Sequence, residues 1–224
     1  MPDNAQIAQA IRRLFDVPVG VVLTDPRQPQ PDLWPGEDAG QGRVTPKRAQ
    51  EFAAGRAAAR AAMTQLGCAP AAIPAAVSRA PVWPAGVHGS ISHSATLCLA
   101  VVCRRPCLLG VDIEPAQPME SALIPHVLGH DAPVGLNKPG TGLVATYKFS
   151  AKEAVFKAVF PQCEQVFGFD VVRIALLAQA GHFQARFQSR IGPYDVGDTL
   201  RGRYLEIAGH IVTAVTVDPT LSGH

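Results

Sequence analysis

Two acids stand two residues apart in the segment Gly110-Val111-Asp112-Ile113-Glu114. Side chains i and i+2 of a strand share a face, so Asp112 and Glu114 point one way while Val111 and Ile113 point the other. Two carboxylates on one face repel each other unless a cation or a basic group stands between them. Hard divalent cations take such oxygen ligands, often one or two carboxylates together with substrate phosphates. The plainer alternative is a strand end offering two acids to water. A second cluster runs Tyr147-Lys148-Phe149-Ser150-Ala151-Lys152-Glu153-Ala154-Val155-Phe156-Lys157-Ala158. Glu153 and Lys157, four apart, are an ordinary helix-surface pair worth about 0.3–0.5 kcal/mol, and Ser150-x-x-Glu153 also reads as a capping box. Against this, Phe149, Val155 and Phe156 make the helix largely apolar around Lys148, Lys152 and Glu153. One carboxylate between lysines suits a metal–phosphate site, the acid taking the cation and the lysines the phosphate oxygens.

Two further groups have the chemistry to hold an anion. Gly89-Ser90-Ile91-Ser92-His93-Ser94 supplies small hydroxyl residues and an imidazole at the entrance to a strand, and a purely structural histidine is the plainer reading. The helix over Thr45–Leu66 carries Arg48 and Arg56 in the same sector as Phe52, Met63 and Leu66, with Arg60 at its margin. The opposite face is alanine (Ala53, Ala54, Ala57, Ala58, Ala61). Surface helices ordinarily separate charge from large apolar residues. Either the arginine stems snorkel and their heads are solvated, or an arginine row points into a cleft that holds an anion.

The elements that must position these residues are legible in outline. Ala5–Phe15 has a short helical pattern, and Pro26–Gly42 reads as irregular loop. Thr45 as N-cap, Pro46 at N1 and Gly67 just past the end bound the arginine helix. Pro70–Pro84 reads as a Pro/Ala linker. Leu97–Cys103 is a continuous apolar run and Leu108–Glu114 a second strand; Arg104-Arg105-Pro106-Cys107 joins them, which predicts an antiparallel hairpin. Residues 115–141 read as loop, Leu143–Phe160 as a helix stopped by Pro161, and Val171–Leu177, His182–Ser189, Thr199–Leu205 and His210–Val217 as strands. Helix, strands, helix, strands is an α+β order.

The chain has 224 residues with 47% hydrophobic and only 17% charged residues, a composition that builds a core rather than a disordered or coiled-coil chain. Its net charge of +2 is too balanced for bulk capture of nucleic acid. There is no signal-peptide pattern and no apolar run long enough for a membrane span. The five cysteines, an odd number without a pairing pattern, read as reduced structural thiols of a cytoplasmic protein.

In order and wording, four segments resemble the 4′-phosphopantetheinyl transferases, most closely the subgroup associated with enterobactin-type siderophore synthetases. They are Lys47-Arg48-Ala49-Gln50-Glu51-Phe52 with Gly55-Arg56 and Arg60; Arg79 through Gly86 leading to Gly89-Ser90-Ile91-Ser92-His93; Gly110 through Glu114; and Phe149 through Ala158. The resemblance spans roughly residues 45–160. It implies two similar α/β lobes related by a pseudo-twofold axis, near residues 1–106 and 107–224, with the active site and coenzyme A between them. It implies Mg²⁺, with Mn²⁺ as a substitute, on Asp112, Glu114 and Glu153. Arg48 and Arg56 match positions that hold the 3′-phosphate and adenine end of coenzyme A. His93, Lys157 and Lys152 match positions at its phosphates, and Arg79 falls where the family carries a basic residue. The implied protein is a cytoplasmic monomer whose partners are coenzyme A and an apo acyl or peptidyl carrier protein, with neither nucleic acid nor membrane involved.

The implied reaction is attack of a carrier serine on the β-phosphorus of coenzyme A, with 3′,5′-ADP leaving. Such chemistry rests on positioning and charge neutralisation. Glu153, directly or through water, and Asp112 are the candidate bases; Lys157 offsets phosphate charge. A metal-dependent phosphohydrolase acting on coenzyme A or a related nucleotide would use the same residue types. A non-catalytic binding module is the third reading, weakened by the presence of all three acids and both lysines.

Overall fold

The computed structural model describes residues 2–38, 44–129, 140–177 and 181–219. The chain divides into two compact units, Met1–Leu109 and Gly110–His224.

In the first unit, helix α1 (Asn4–Arg12) opens with a capping box in which Asp3 and Gln6 satisfy each other's backbone N–H groups. Strand β1 (Gly20–Thr24) follows, in a stretch where the sequence pattern predicts no strand. Helix α2 (Pro46–Gln65) has the predicted ends: the Thr45 hydroxyl accepts from the Arg48 N–H, and Gly67 takes a left-handed φ of 68°. Strands β2 (His88–His93) and β3 (Cys98–Cys103) complete an antiparallel sheet of order β1-β3-β2. Every residue of β3 is buried, as its apolar run requires. The small residues Ala58, Ala59 and Ala62 let α2 pack closely on the sheet, with Met63, Ile73, Val87, Ala100 and Val102 filling the core. Gly20 lies so close to α2 that a side chain there would overlap the carbonyl of Ala62.

The expected hairpin of Leu97–Cys103 with Leu108–Glu114 does not form. The partner of β3 is β2, through a turn in which the Ser94 hydroxyl accepts from the N–H groups of Thr96 and Leu97. Strand β4 (Leu108–Pro115) belongs to a different sheet. The physical reason is local: β3 already has a neighbour on each side, and Arg104-Arg105-Pro106 lacks the glycine or asparagine of a tight hairpin turn. The Cys103 and Cys107 sulfurs approach each other across that connection, while Cys68, Cys98 and Cys163 are free thiols.

The second sheet has the order β4-β8-β7-β6-β5, with β5 (Val172–Leu176), β6 (His182–Phe187), β7 (Thr199–Ile207) and β8 (His210–Val217) in antiparallel succession. Helix α4 (Thr141–Cys163) packs on this sheet, pinned by the buried Ser150 and Thr213 hydroxyls 2.9 Å apart. Pro161 does not stop it: a proline in the last turn forfeits only its own bond to the Lys157 carbonyl, and the helix ends where Glu164 turns left-handed. Short helix α3 (Ile124–Leu128) lies in the stretch read as loop and packs with Ala145, Met119, Phe149 and Phe169. Gly110 of β4 lies against α4 as Gly20 does against α2; a side chain there would overlap the Ala154 carbonyl.

Candidate active site

Strand alternation puts Gly110, Asp112 and Glu114 on the face of β4 that meets α4, where Glu153 and Lys157 sit one helical turn apart. The Asp112 carboxylate is buried, and its Oδ1 accepts from the Lys157 ammonium at 2.6 Å. The same ammonium donates to the Val111 carbonyl at 3.2 Å. Oδ2 of Asp112 is buried and accepts no hydrogen bond among the described residues.

Glu114 and Glu153 are half-buried. Burial, then repulsion from Asp112 and Glu153, pushes the Glu114 carboxyl up to about 7 against the pull of Lys157. Burial also raises Glu153, with Asp112 adding to the rise and Lys157 opposing it. The three predicted acids therefore feel one another, with one lysine among them. They do not form a closed ligand cage: among the described residues, no three His, Cys, Asp or Glu side chains converge as a ready metal site.

Lys152 is not part of this group. Its buried ammonium donates to the carbonyls of Val127 at 2.8 Å and Phe169 at 2.5 Å, tying the end of α3 and the Phe169 segment to α4. Next to Glu114 runs an apolar groove lined by Met119, Leu123, Val127, Phe149 and Phe169.

In the first unit the arginine row splits into three environments. Arg48 keeps its head half exposed, 3.4 Å from Glu51 and in contact with His93 Nε2. His93 is the last residue of β2, and Glu51 Oε2 stands 3.7 Å from the same nitrogen. Arg56 and Arg60 do not snorkel: both are inside the fold, at 5% and 6% exposure. Arg56 donates through Nε to the Ile73 carbonyl at 2.6 Å and stacks 4.1 Å over the Phe52 ring. Burial lowers its pKa to about 10 while the Glu37 charge opposes the fall. Arg60 is ion-paired with the fully buried Glu37 and lies over the Trp34 ring. Arg79 is exposed in the tight turn at 76–80, held at a φ of 69° by hydrogen bonds between Ala76, Arg79 and Ala80.

Residues 37–103 match the model of the 4′-phosphopantetheinyl transferase N-terminal domain. The chain is 35% identical over 202 residues to the 4′-phosphopantetheinyl transferase Svp of Streptomyces mobaraensis, covering 86% of this chain and 81% of that protein. The chain belongs to the 4′-phosphopantetheinyl transferase family. Similarity extends to the 4′-phosphopantetheinyl transferase PptT of Mycobacterium tuberculosis, 33% identical over 78% of this chain and 82% of that one. It extends also to enterobactin synthase component D of Salmonella typhi, 34% identical over 76% of this chain and 72% of that one. In this transferase no helix among the described residues is long and apolar enough to cross a membrane.

The sequence reading missed Glu37, Trp34 and Ile73 as partners of the arginines. The first two lie in a Pro/Gly-rich stretch and the third in an apparent linker. No local pattern marks any of them, because their partners are 17 to 36 residues away.

Proposed function

We propose that this enzyme transfers the 4′-phosphopantetheine arm of coenzyme A to a serine of an apo acyl or peptidyl carrier protein and releases 3′,5′-ADP. The observation that carries the site assignment is the Lys157 ammonium on Asp112, on the β4 face that bears Glu114 and turned toward the helix that bears Glu153. The names of the enterobactin relatives support carriers of siderophore-type, nonribosomal synthesis as acceptors, with polyketide and fatty-acid carriers as further candidates.

Arg48, Arg56 and His93 hold the 3′-phosphate and nucleotide end, with Arg79 as a further basic contact. The planar guanidinium fork suits a phosphate. Lys157 offsets charge on the pyrophosphate, and that neutralisation strengthens as negative charge moves to the leaving oxygen. Glu153 takes the serine proton. Burial favours this role, since a carboxylate raised toward neutrality is a better base than one in water. The serine oxygen then bonds to the β-phosphorus while the bond to the bridging oxygen breaks, and the displaced 3′,5′-ADP leaves. The groove beside Glu114 gives the acceptor an apolar approach to the acids.

The donor set fits Mg²⁺. Asp112, Glu114 and Glu153 supply only hard oxygen atoms, and their mutual repulsion is what a divalent cation relieves. Mg²⁺ on these three acids would supply Lewis-acid neutralisation of the pyrophosphate. The pseudo-twofold relation of the two units is likewise our reading. It is supported by their shared design, a long helix on an antiparallel sheet with a strand glycine at the closest approach (Gly20 on α2, Gly110 on α4).

Mass spectrometry of a panel of apo-carriers incubated with coenzyme A and Mg²⁺ tests the function. A gain of one phosphopantetheine arm, with 3′,5′-ADP appearing only when a carrier is present, is expected. Release of 3′,5′-ADP that ignores the carrier would identify a hydrolase instead.

A further inference from the structure

Glu37 is fully buried and touches none of the three acids, yet it is among the most heavily engaged side chains of the first unit. Oε2 accepts from the Arg60 guanidinium and from the Trp34 N–H at 2.9 Å. Oε1 accepts from the Ile73 N–H at 3.0 Å. The other backbone group of Ile73, its carbonyl, accepts from Arg56 Nε at 2.6 Å. One residue of main chain is thus gripped on both sides, by a carboxylate through its N–H and by the arginine through its C=O.

We propose that Glu37 is the positioning residue for Arg56: through the backbone of Ile73 it fixes the plane of the guanidinium that receives the 3′-phosphate of coenzyme A. The assignment rests on the reading of Arg56 given above. Arginine has one N–H on Nε and four on its two terminal nitrogens. With Nε committed to Ile73 and Phe52 stacked on the plane, the terminal nitrogens form a fork whose direction is set before any ligand arrives. A ligand that meets a pre-set fork does not pay for ordering it. The negative charge of Glu37 also opposes the loss of positive charge that burial imposes on Arg56. Arg60 serves the same end indirectly. It balances Glu37, and with Trp34 it anchors the 32–37 segment to α2. A glutamine at 37 cannot repeat the arrangement, because a carboxylate accepts on both oxygens while an amide turns a donor toward one set of N–H groups.

The test compares steady-state kinetics on coenzyme A and on dephospho-coenzyme A, which lacks only the 3′-phosphate, with an apo-carrier as acceptor. Glu37→Gln should raise KM for coenzyme A about tenfold, the scale of coupled contacts, with kcat within about twofold. KM for dephospho-coenzyme A should not move. A merely structural role would lower the active fraction, and so kcat, on both substrates alike; that result, or an unchanged KM for coenzyme A, overturns the proposal. Should Glu37→Gln fold poorly with Arg60 left buried and uncompensated, the double variant Glu37→Leu with Arg60→Leu removes both charges and should show the same substrate-selective rise. Arg56→Ala is the reference. If it too fails to distinguish the two substrates, the reading of Arg56 falls and takes this inference with it; if it distinguishes them and Glu37→Gln does not, only the inference falls.

Discussion

Around Glu37, a fully buried carboxylate has a guanidinium and two backbone N–H groups, and every buried charge beside it has a partner across the fold. Around Asp112, one lysine stands among three carboxylates of the described residues, and burial with mutual repulsion raises both glutamates. The first region is balanced by the chain itself, so its charge builds structure and aims Arg56. The second carries more negative than positive charge among the described residues, and that excess raises its glutamates. A buried charge in the first should therefore be costly to remove, and one in the second cheap for the fold and ruinous for the reaction.

The largest effect expected is on turnover. Glu153→Gln should lower transfer by about 10²–10⁴-fold, the range for losing a general base, while circular dichroism is unchanged and the melting temperature does not fall. Transfer at the wild-type rate would remove Glu153 from both the base and the metal assignment. Next comes stability in the balanced region. Arg60→Ala leaves Glu37 buried without its counter-charge and should cost about 3–5 kcal/mol in urea unfolding. A loss below about 1 kcal/mol, the worth of an exposed pair, would erase the contrast between the two regions.

The smallest effect is in pH dependence, and its sign is opposite to that of an ordinary ion-paired acid. Glu114 titrates near 4.5 in the unfolded chain and near 7 in the fold. Between those values the folded state holds a proton that the unfolded state has released. The stability this group contributes is present below the lower value and is lost as pH rises through the upper one. Glu153 shifts in the same direction. In the presence of a chelator, Glu114→Gln should therefore gain stability relative to wild type as pH is raised from 5 to 8. Thermal melts of the two proteins across that range check it, and a constant difference would show that the acids do not strain one another.

How much of this was legible in the sequence follows the range of the interactions. Helix α2 could be read to its ends because Thr45, Pro46 and Gly67 act on their immediate neighbours. The acids were legible for the same reason: i and i+2 on a strand, i and i+4 on a helix, are local geometry. Strand pairing was not. Two apolar runs joined by four residues suggest a hairpin, but β3 finds its partners in β1 and β2, and nothing in Leu97–Cys103 names them. Strand β1 escaped notice as five residues in a Pro- and Asp-rich stretch. The arginines were recognised as unusual, but their partners were not, since Glu37 lies 23 residues from Arg60 and meets it only in the fold. The two carbonyls that Lys152 serves were equally hidden, since Val127 and Phe169 lie 25 and 17 residues from it.

Gly110 has no functional group to offer, and it lies two residues before Asp112 against the carbonyl of Ala154, the neighbour of Glu153. It therefore acts as a gauge block: the absence of a side chain fixes how far the strand acids stand from the helix acid. Any larger residue would prise β4 from α4 and move Asp112 and Glu114 away from Glu153. The spacing of the candidate site is thus set by a residue with no side chain at all.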